Sequence, residues 1–109
     1  MSKIGNINMP QRKLNPRTVA ALKQVGEQVR LARLRRNMSA EELACKADVS
    51  RKTLWNIERG DPGVSIGNIA RVLNAMSLRD ELLNIAKDDV MGRTFQDMNL
   101  TVGRRKRKS

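Results

Sequence analysis

The sequence predicts an all-α domain, and three observations lead to that prediction. Apolar residues recur at helical spacing, helix-capping residues stand at intervals along the middle of the chain, and aromatic residues make up only 2% of it. The core must therefore be aliphatic. A chain of 109 residues is long enough for one well-cored domain but too short for two. We expect five helices between a basic N-terminal arm and a C-terminal extension.

The first helix is predicted to begin at Asn15-Pro16, with Asn15 as the N-cap and proline at the first helical position. Asn37 is a suitable left-handed residue to end it. Between these two points, apolar residues recur at spacings of three and four, which predicts a single buried stripe along the helix. The residues of this stripe are Leu22, Val25, Val29 and Ala32.

Three further helices follow, each with a recognisable start. Ser39 and Glu42 have the spacing of a capping box, so a short second helix is predicted there. Ser50 and Ser65 are predicted to cap the third and fourth helices. Gly60 is expected to end the third, because glycine adopts the left-handed conformation without steric cost and an Asp-Pro-Gly turn follows.

The C-terminal part changes its pattern. A fifth helix is predicted over residues 79–87, and beyond it Met98, Leu100 and Val102 alternate with polar residues, as in a short strand. Together with Phe95, these side chains are too apolar for a free tail. We expect a strand that crosses a dimer, with a partner-binding motif and disorder as the open alternatives. The predicted boundaries are an arm over 1–15, a domain over 16–90, this extension over 91–102 and a tail over 103–109.

The net charge of +11 is concentrated at the two ends of the chain. Residues 1–18 contribute +4 and residues 103–109 contribute +5, whereas the residues between them contribute only +2. Such basic segments predict an anionic partner, most often nucleic acid, although a solubilising tail is the plain alternative. The tail residues expected to bind phosphate without sequence preference are Arg104, Arg105, Lys106, Arg107 and Lys108.

Several classes of function are disfavoured by what the sequence lacks. With no histidine and one cysteine, it cannot supply the ligands of a structural zinc site, and Cys45 cannot form an internal disulfide. Few acid–base or nucleophilic groups remain, so we expect no catalytic residues, no metal and no cofactor. No apolar run approaches the roughly 18 residues of a membrane span, and no signal peptide is evident. We therefore expect a cytoplasmic protein.

Two short capped helices joined by a few residues, with arginines on either side, predict a helix-turn-helix. The second of them is amphipathic, with Leu54 and Ile57 on its inner side. Its outer side offers Arg51 and Lys52, which can bond the O6 and N7 atoms of guanine or a phosphate group. Asn56 can pair with adenine in the same groove or hold a phosphate.

Residues 25–76 resemble the Xre family, the helix-turn-helix type of phage Cro and repressor proteins. The matching features include Val29-Arg30, Leu43-Ala44, Thr53-Leu54 and Ile57-Glu58-Arg59-Gly60. The resemblance implies a five-helix fold and a homodimer that binds an inverted-repeat operator in double-stranded DNA. It also implies an ion pair between Arg33 and Glu58. Many members carry glutamine where this chain has Ala40, which weakens a direct DNA role for that position.

Further segments resemble the HipB-type branch of the family: residues 61–67, residues 72–76, Met91-Gly92-Arg93 and Gln96-Asp97. Proteins of that branch are encoded with HipA-type kinase toxins and bind both their operator and the toxin. The resemblance therefore implies an autoregulating antitoxin on the bacterial nucleoid, with a HipA-like toxin as partner. A free-standing regulator without a toxin, and a protein that mainly sequesters a partner, are the alternatives.

The residues predicted to contact DNA lie at the two helix caps and along the recognition helix. For Trp55, contact with a thymine methyl or a sugar is weighed against contact with the second helix or a partner. For Ser50, capping is the main prediction and contact with DNA an addition to it. The full set is Ser39, Ser50, Arg51, Lys52, Thr53, Trp55, Asn56 and Arg59.

Overall fold

The computed structural model describes residues 13–102 of the chain, and this part contains six helices and no strand. The all-α class is thus confirmed. The count of five is wrong, because the C-terminal extension forms a helix of its own. In chain order the helices are α1 (Pro16–Arg35), α2 (Ala40–Ala47), α3 (Arg51–Arg59), α4 (Ile66–Ala75), α5 (Arg79–Leu83) and α6 (Val90–Val102).

Side-chain caps set the starts of the first four helices, as predicted. The side chain of Asn15 accepts a hydrogen bond from the first turn of α1. At α2 the capping box is complete: Ser39 Oγ accepts from the backbone N–H of Glu42 at 3.0 Å, and Glu42 Oε1 accepts from the backbone N–H of Ser39 at 2.7 Å. At α3 and α4 the side chains of Ser50 and Ser65 accept from the backbone N–H groups of Thr53 and Asn68. Each such cap stabilises its helix by about 1 kcal/mol.

The core is aliphatic and lies between α1, α2, α3 and α4. Leu43, Leu54 and Val72 are fully buried at 0% exposure, and each comes from a different helix. Burying a side chain of this size contributes about 1.5–3 kcal/mol. The other buried hydrophobic residues are Val29, Ala32, Ala44, Ala47, Ile57, Ala75 and Met76.

The predicted stripe of α1 is wrong at one position. Val25 is 46% exposed, and its neighbour Gly26 is buried instead. A Cβ atom on Gly26 would lie 2.6 Å from the carbonyl oxygens of both Ile57 and Glu58. The backbones of α1 and α3 therefore touch at this point, and an apolar side chain in the place of Gly26 would hold them apart.

The contact continues at the C-terminal end of α3. Gly60 ends this helix in the left-handed conformation, with φ at 78°. A Cβ atom there would lie 2.7 Å from backbone atoms of Leu22 in α1. Glycine is thus required at this position both for the backbone angle and for the lack of space.

The predicted strand over residues 98–102 is wrong, because α6 continues through them. Asp89 starts this helix, with its Oδ1 accepting from the backbone N–H of Gly92 at 2.9 Å. The five alternating residues are too few to set the period, and the residues before them give a helical one. The apolar residues that recur at spacings of four and three are Met91, Phe95 and Met98.

The fifth predicted helix is shorter than expected. The sequence predicts a helix over residues 79–87, whereas α5 ends at Leu83. Ala86 has a positive φ of 60°, which is incompatible with a continuing right-handed helix. The turns after α5 therefore separate it from α6.

Gly26→Ala is expected to lower the free energy of unfolding by about 1–3 kcal/mol or more, because the new methyl group meets backbone atoms that cannot move aside. Gly67→Ala is the matched control, since the nearest atom to a Cβ there is Ser65 Oγ at 3.8 Å. We expect that control to be neutral or to stabilise α4 by up to about 1 kcal/mol. Urea denaturation of both variants measures the difference, and equal effects would contradict the close approach.

Candidate nucleic-acid interface

Helices α2 and α3 form the predicted helix-turn-helix. They are joined by Asp48, Val49 and Ser50, and the turn begins with Asp48 in the left-handed conformation at φ 60°. The backbone N–H of Val49 donates to the carbonyl of Ala44 at 3.0 Å, which closes the end of α2. Ser50 then caps α3, so that α3 starts directly after the turn.

The outer side of α3 is polar and basic. Leu54 and Ile57 are buried at 0% and 4% exposure and hold the inner side against the core. The outer side is the one that would enter a major groove, since its side chains are available to base edges and phosphates. Thr53 and Asn56 are half-buried there, and the exposed residues are Arg51, Lys52, Trp55 and Arg59.

Arg33 of α1 and Glu58 of α3 form the ion pair that the family resemblance implies. Arg33 Nε donates to Glu58 Oε2 at 2.8 Å, and Arg33 Nη2 donates to Glu58 Oε1 at 2.9 Å. A third bond runs from Arg33 Nη1 to the carbonyl of Met38 at 3.1 Å. The two side chains are only 12% and 10% exposed. The bidentate pair joins α3 to α1, and the bond to Met38 joins Arg33 to the turn after α1.

The hydrogen bond to Glu58 raises the pKa of Arg33, and this effect outweighs the lowering by burial. A raised arginine pKa means that its contribution to stability is complete below the ordinary arginine value and is lost only above it. The arginine side of the pair therefore stays charged throughout the neutral range. The pair also places a cation beside the one acidic residue of α3, which would otherwise repel phosphate.

The hydroxyl groups of Ser39 and Ser50, both predicted to contact DNA, are used in capping. Ser50 Oγ accepts from the backbone N–H of Thr53 at 2.9 Å and donates to Thr53 Oγ1 at 3.0 Å. Ser50 has one hydroxyl hydrogen and uses it in the bond to Thr53 Oγ1. The hydroxyl hydrogen of Thr53 is therefore the one that can be donated to another acceptor. Contact of either serine with DNA stays a prediction.

One flank of α3, on the side of α1, carries a basic cleft of about 300 Å³. Arg30 and Arg33 reach it from α1, Ala40 lies at the start of α2, and the remaining lining comes from α3. We call this space the arginine cleft. Its lining residues from α3 include Arg51, Trp55, Glu58 and Arg59.

The opposite flank of α3 carries a second cleft of about 330 Å³, which we call the asparagine cleft. It lies between α3 and the start of α4, and none of its lining residues is a cation. Asp61 gives it a carboxylate, whose Oδ1 accepts from the backbone N–H of Gly63 at 2.7 Å. Its polar lining residues are Thr53, Asn56, Asp61, Ser65 and Asn68.

Trp55 and Arg59 form a stacked pair on the arginine-cleft side. The guanidinium carbon of Arg59 lies 4.1 Å from the centre of the Trp55 ring, and Trp55 is 55% exposed. A cation–π contact of this kind at an exposed site contributes about 0.5–1 kcal/mol. The stack holds both side chains at the surface, where each can meet a ligand.

Other predicted site residues lie apart from this interface or outside the described residues. Phe95 and Met98 are 57% and 60% exposed on α6. Leu100 and Val102 belong to α6, but their side chains are outside the described part, as is the whole basic tail over 103–109.

Arg30 is a cleft residue that the sequence did not predict, although it lines the arginine cleft beside Arg33. Its Nη1 atom is also paired with Glu27 Oε2 at 3.0 Å. Its position in the sequence could have indicated this role, because Arg30 is three residues before Arg33 and residues three apart lie on the same side of a helix. A residue one turn before Arg33 therefore reaches the same flank of α3.

Neither a metal site nor a membrane span is found within residues 13–102. No three histidine, cysteine, aspartate or glutamate side chains in this range cluster as metal ligands. None of the helices described there is long and apolar enough to cross a membrane.

A short capped helix, a three-residue turn and a basic amphipathic helix held against a core define a helix-turn-helix DNA-binding protein. A family model described as "Helix-turn-helix domain" matches residues 24–84, which is more than half of the chain, and the chain belongs to that family. It is also 40% identical over 55 residues to the control protein C.BamHI of Bacillus amyloliquefaciens, covering 50% of this chain and 68% of that protein. No solved structure matches the chain.

These matches confirm the Xre-type helix-turn-helix class predicted from residues 25–76. The chain is accordingly a DNA-binding transcription regulator. Its assignment to the HipB-type branch stays a prediction.

Glu58→Ala is expected to lower the free energy of unfolding by about 3–5 kcal/mol, because Arg33 is left as an uncompensated, largely buried charge. Glu27→Ala is the matched control. It breaks the pair with Arg30, whose partners are 45% and 53% exposed, and should cost less than about 1 kcal/mol. Urea denaturation at neutral pH compares the two variants, and a destabilisation by Glu58→Ala no larger than the control's would show that the pair does not hold α3.

Proposed function

We propose that this protein is a sequence-specific repressor that binds an inverted-repeat operator near its own promoter as a homodimer. The observation that carries the proposal is the outer side of α3, which is polar and basic while Leu54 and Ile57 anchor the helix. Two such helices about 34 Å apart enter successive major grooves of a duplex. A dimer in that position blocks access of RNA polymerase to the promoter.

Lys52 and Asn56 are the residues that we assign to base reading. They lie one helical turn apart on the outer side of α3, so both can reach the floor of one groove. Lysine bonds the O6 and N7 atoms of guanine, and asparagine pairs with the N6 and N7 atoms of adenine. The hydroxyl of Thr53 extends this set toward the asparagine cleft. Repression by occlusion needs binding alone, so we propose neither a catalytic activity nor a cofactor.

The second copy of the chain is proposed to bind along α6. Met91, Phe95 and Met98 are 67%, 57% and 60% exposed and share one side of this helix. A contiguous exposed apolar surface is typical of a protein interface rather than of a free helix. An inverted-repeat operator requires two copies of the chain. Pairing of α6 with α6 of the second copy would cover the exposed apolar surface and would also form the dimer that the operator requires. The predicted dimer-crossing role of this segment is thus kept, with a helix in place of the strand.

Two versions of the repressor differ in whether a toxin is its partner. An antitoxin encoded beside a HipA-like kinase toxin is supported by the resemblance to the HipB-type branch at residues 61–67, residues 72–76, Met91-Gly92-Arg93 and Gln96-Asp97. The similarity to a protein named as a control protein supports a free-standing regulator equally well. The adjacent reading frame separates the two. A kinase-like product that co-purifies with the regulator in a defined stoichiometry supports the antitoxin, and an unrelated neighbouring gene supports the free-standing regulator.

Asn56→Ala is expected to weaken binding to a duplex from its own promoter region by about 1–3 kcal/mol and to relax specificity at one base position. The effect arises because a paired contact with adenine disappears while phosphate contacts remain. Asn74→Ala on α4 is the matched control, since Asn74 is exposed and lines neither cleft. Fluorescence anisotropy with the promoter duplex and a shuffled duplex of equal length provides the measurement.

The wild-type protein sets the reference for this experiment. A dimer that makes six to ten phosphate contacts should bind about 10³–10⁵-fold more weakly at 200 mM salt than at 50 mM. A wild-type protein that binds the promoter duplex no better than the shuffled one would refute the proposed function.

Phe95→Glu is expected to convert the homodimer into a monomer, because it places a carboxylate in the middle of the apolar surface of α6. Gln96→Glu introduces the same group at the next residue, about 100° around the helix, and should leave the dimer intact. Sedimentation equilibrium measures both masses. If both variants keep the dimer mass, the copies associate through another surface.

A further inference from the structure

We propose that the arginine cleft binds the phosphodiester backbone of one DNA strand, and that this flank of α3 supplies the phosphate grip of the domain. The inference rests on the proposed function and adds a division of roles within α3. Arg51, predicted as a base or phosphate contact, is assigned here to the backbone. Base reading then belongs to Lys52 and Asn56.

The charges of the cleft favour an anion. Arg33 is neutralised by Glu58, but the cleft also holds Arg30, Arg51 and Arg59. Within residues 13–102, no carboxylate forms an ion pair with Arg51 or Arg59. The pair of Arg30 with Glu27 is about half exposed, so it is weak and can be exchanged for a phosphate. Three arginines besides Arg33 thus line one space. Guanidinium binds phosphate through paired hydrogen bonds.

The shape of the cleft suits a chain of sugars and phosphates. Ala40 contributes only a methyl group where α2 begins, which leaves room between α1 and α3 for a group the size of phosphate. Trp55 lies at the same opening with half of its surface exposed, and Arg59 covers one face of its ring. A deoxyribose offers an apolar surface beside each phosphate. The indole can contact that surface while its N–H donates to a phosphate oxygen.

Among the described residues, the lining of the opposite flank of α3 offers no cation to the second strand. The asparagine cleft has no cation among its lining residues and contains the carboxylate of Asp61. Its donors are neutral groups such as Asn68, whose hydrogen bonds depend little on salt. The two rows of α3 therefore differ: Arg51, Trp55 and Arg59 face the cationic flank, whereas Thr53 and Asn56 face the neutral one.

The test removes one guanidinium at a time and compares a promoter duplex with a shuffled duplex over a range of salt concentrations. For Arg51→Ala and Arg30→Ala, we expect affinity to fall by the same factor on both duplexes. The slope of log K against log salt should become shallower by about 0.9 for each phosphate group that the variant no longer neutralises. Lys52→Ala should instead weaken binding mainly to the promoter duplex.

Two controls accompany these variants. Arg79→Ala removes an exposed arginine of α5 that does not line the cleft, so the salt slope should not change. Circular dichroism melting confirms that each variant is folded, and since Arg30 and Arg51 are exposed, we expect melting temperatures near that of the wild type.

Intrinsic fluorescence gives an independent reading, because Trp55 is the single tryptophan of the chain and the chain has no tyrosine. The shuffled duplex should change the emission of the wild-type protein at low salt. With Arg51→Ala, the same change should require a higher duplex concentration. An emission that does not respond to a saturating duplex would contradict contact at the cleft.

The outcomes separate this inference from the proposed function. If Arg51→Ala relaxes specificity on the promoter duplex and leaves the slope on the shuffled duplex unchanged, Arg51 reads a base and the inference is overturned. If the wild type has no preference for the promoter duplex, the proposed function fails. The slopes measured on the shuffled duplex still decide whether the cleft binds phosphate.

Discussion

The backbone contact between Gly26 of α1 and the C-terminal end of α3 is the constraint on which the interface depends. A nine-residue helix such as α3 is marginal by itself in water, so its position is set by what it packs against. The missing side chain of Gly26 lets the carbonyl groups of Ile57 and Glu58 approach α1 directly. Contact between backbones leaves no side chain that could repack and allow α3 to rotate. The outer side of α3 therefore keeps one orientation relative to the rest of the domain.

The ion pair of Arg33 with Glu58 acts beside this contact and has a different role. Charges that are nearly buried lose hydration, so such a pair contributes little net stability compared with apolar residues of the same size. Its two hydrogen bonds are directional, however, and they fix the rotation of α3 about its own axis. The pair also places a cation beside the one acidic residue of α3, at the edge of a cleft that we propose binds phosphate. We therefore expect the pair to serve the orientation of α3 and the local charge more than net stability.

The features that the sequence predicted correctly depend on residues close together in the chain. A cap such as Ser39 with Glu42, or the end of α3 at Gly60, is decided within a few positions, and the structure has both where they were expected. Gly26 is buried in place of Val25 because α3 packs closely against α1 at this point. The spacing of apolar residues within α1 cannot reveal where another helix packs. The helix over residues 98–102 was missed because the alternation of five residues was weighed without the helical spacing of Met91, Phe95 and Met98. The residues that line the arginine cleft come from three helices, so the sequence alone could not show that they lie together.

The positions of the side chains around α3 explain why sequence preference depends more on a fixed orientation of this helix than on the net charge of the protein. Successive residues of a helix are about 100° apart, so the row that faces the arginine cleft and the row that carries Lys52 and Asn56 are separated by one residue step. A rotation of α3 by that angle would turn the guanidinium groups toward the bases and the base-reading groups toward the backbone. The total charge would be the same, but the sequence preference would disappear. Selectivity therefore requires the rotation of α3 to be fixed, and the contacts at Gly26 and Glu58 fix it together with the burial of Leu54 and Ile57.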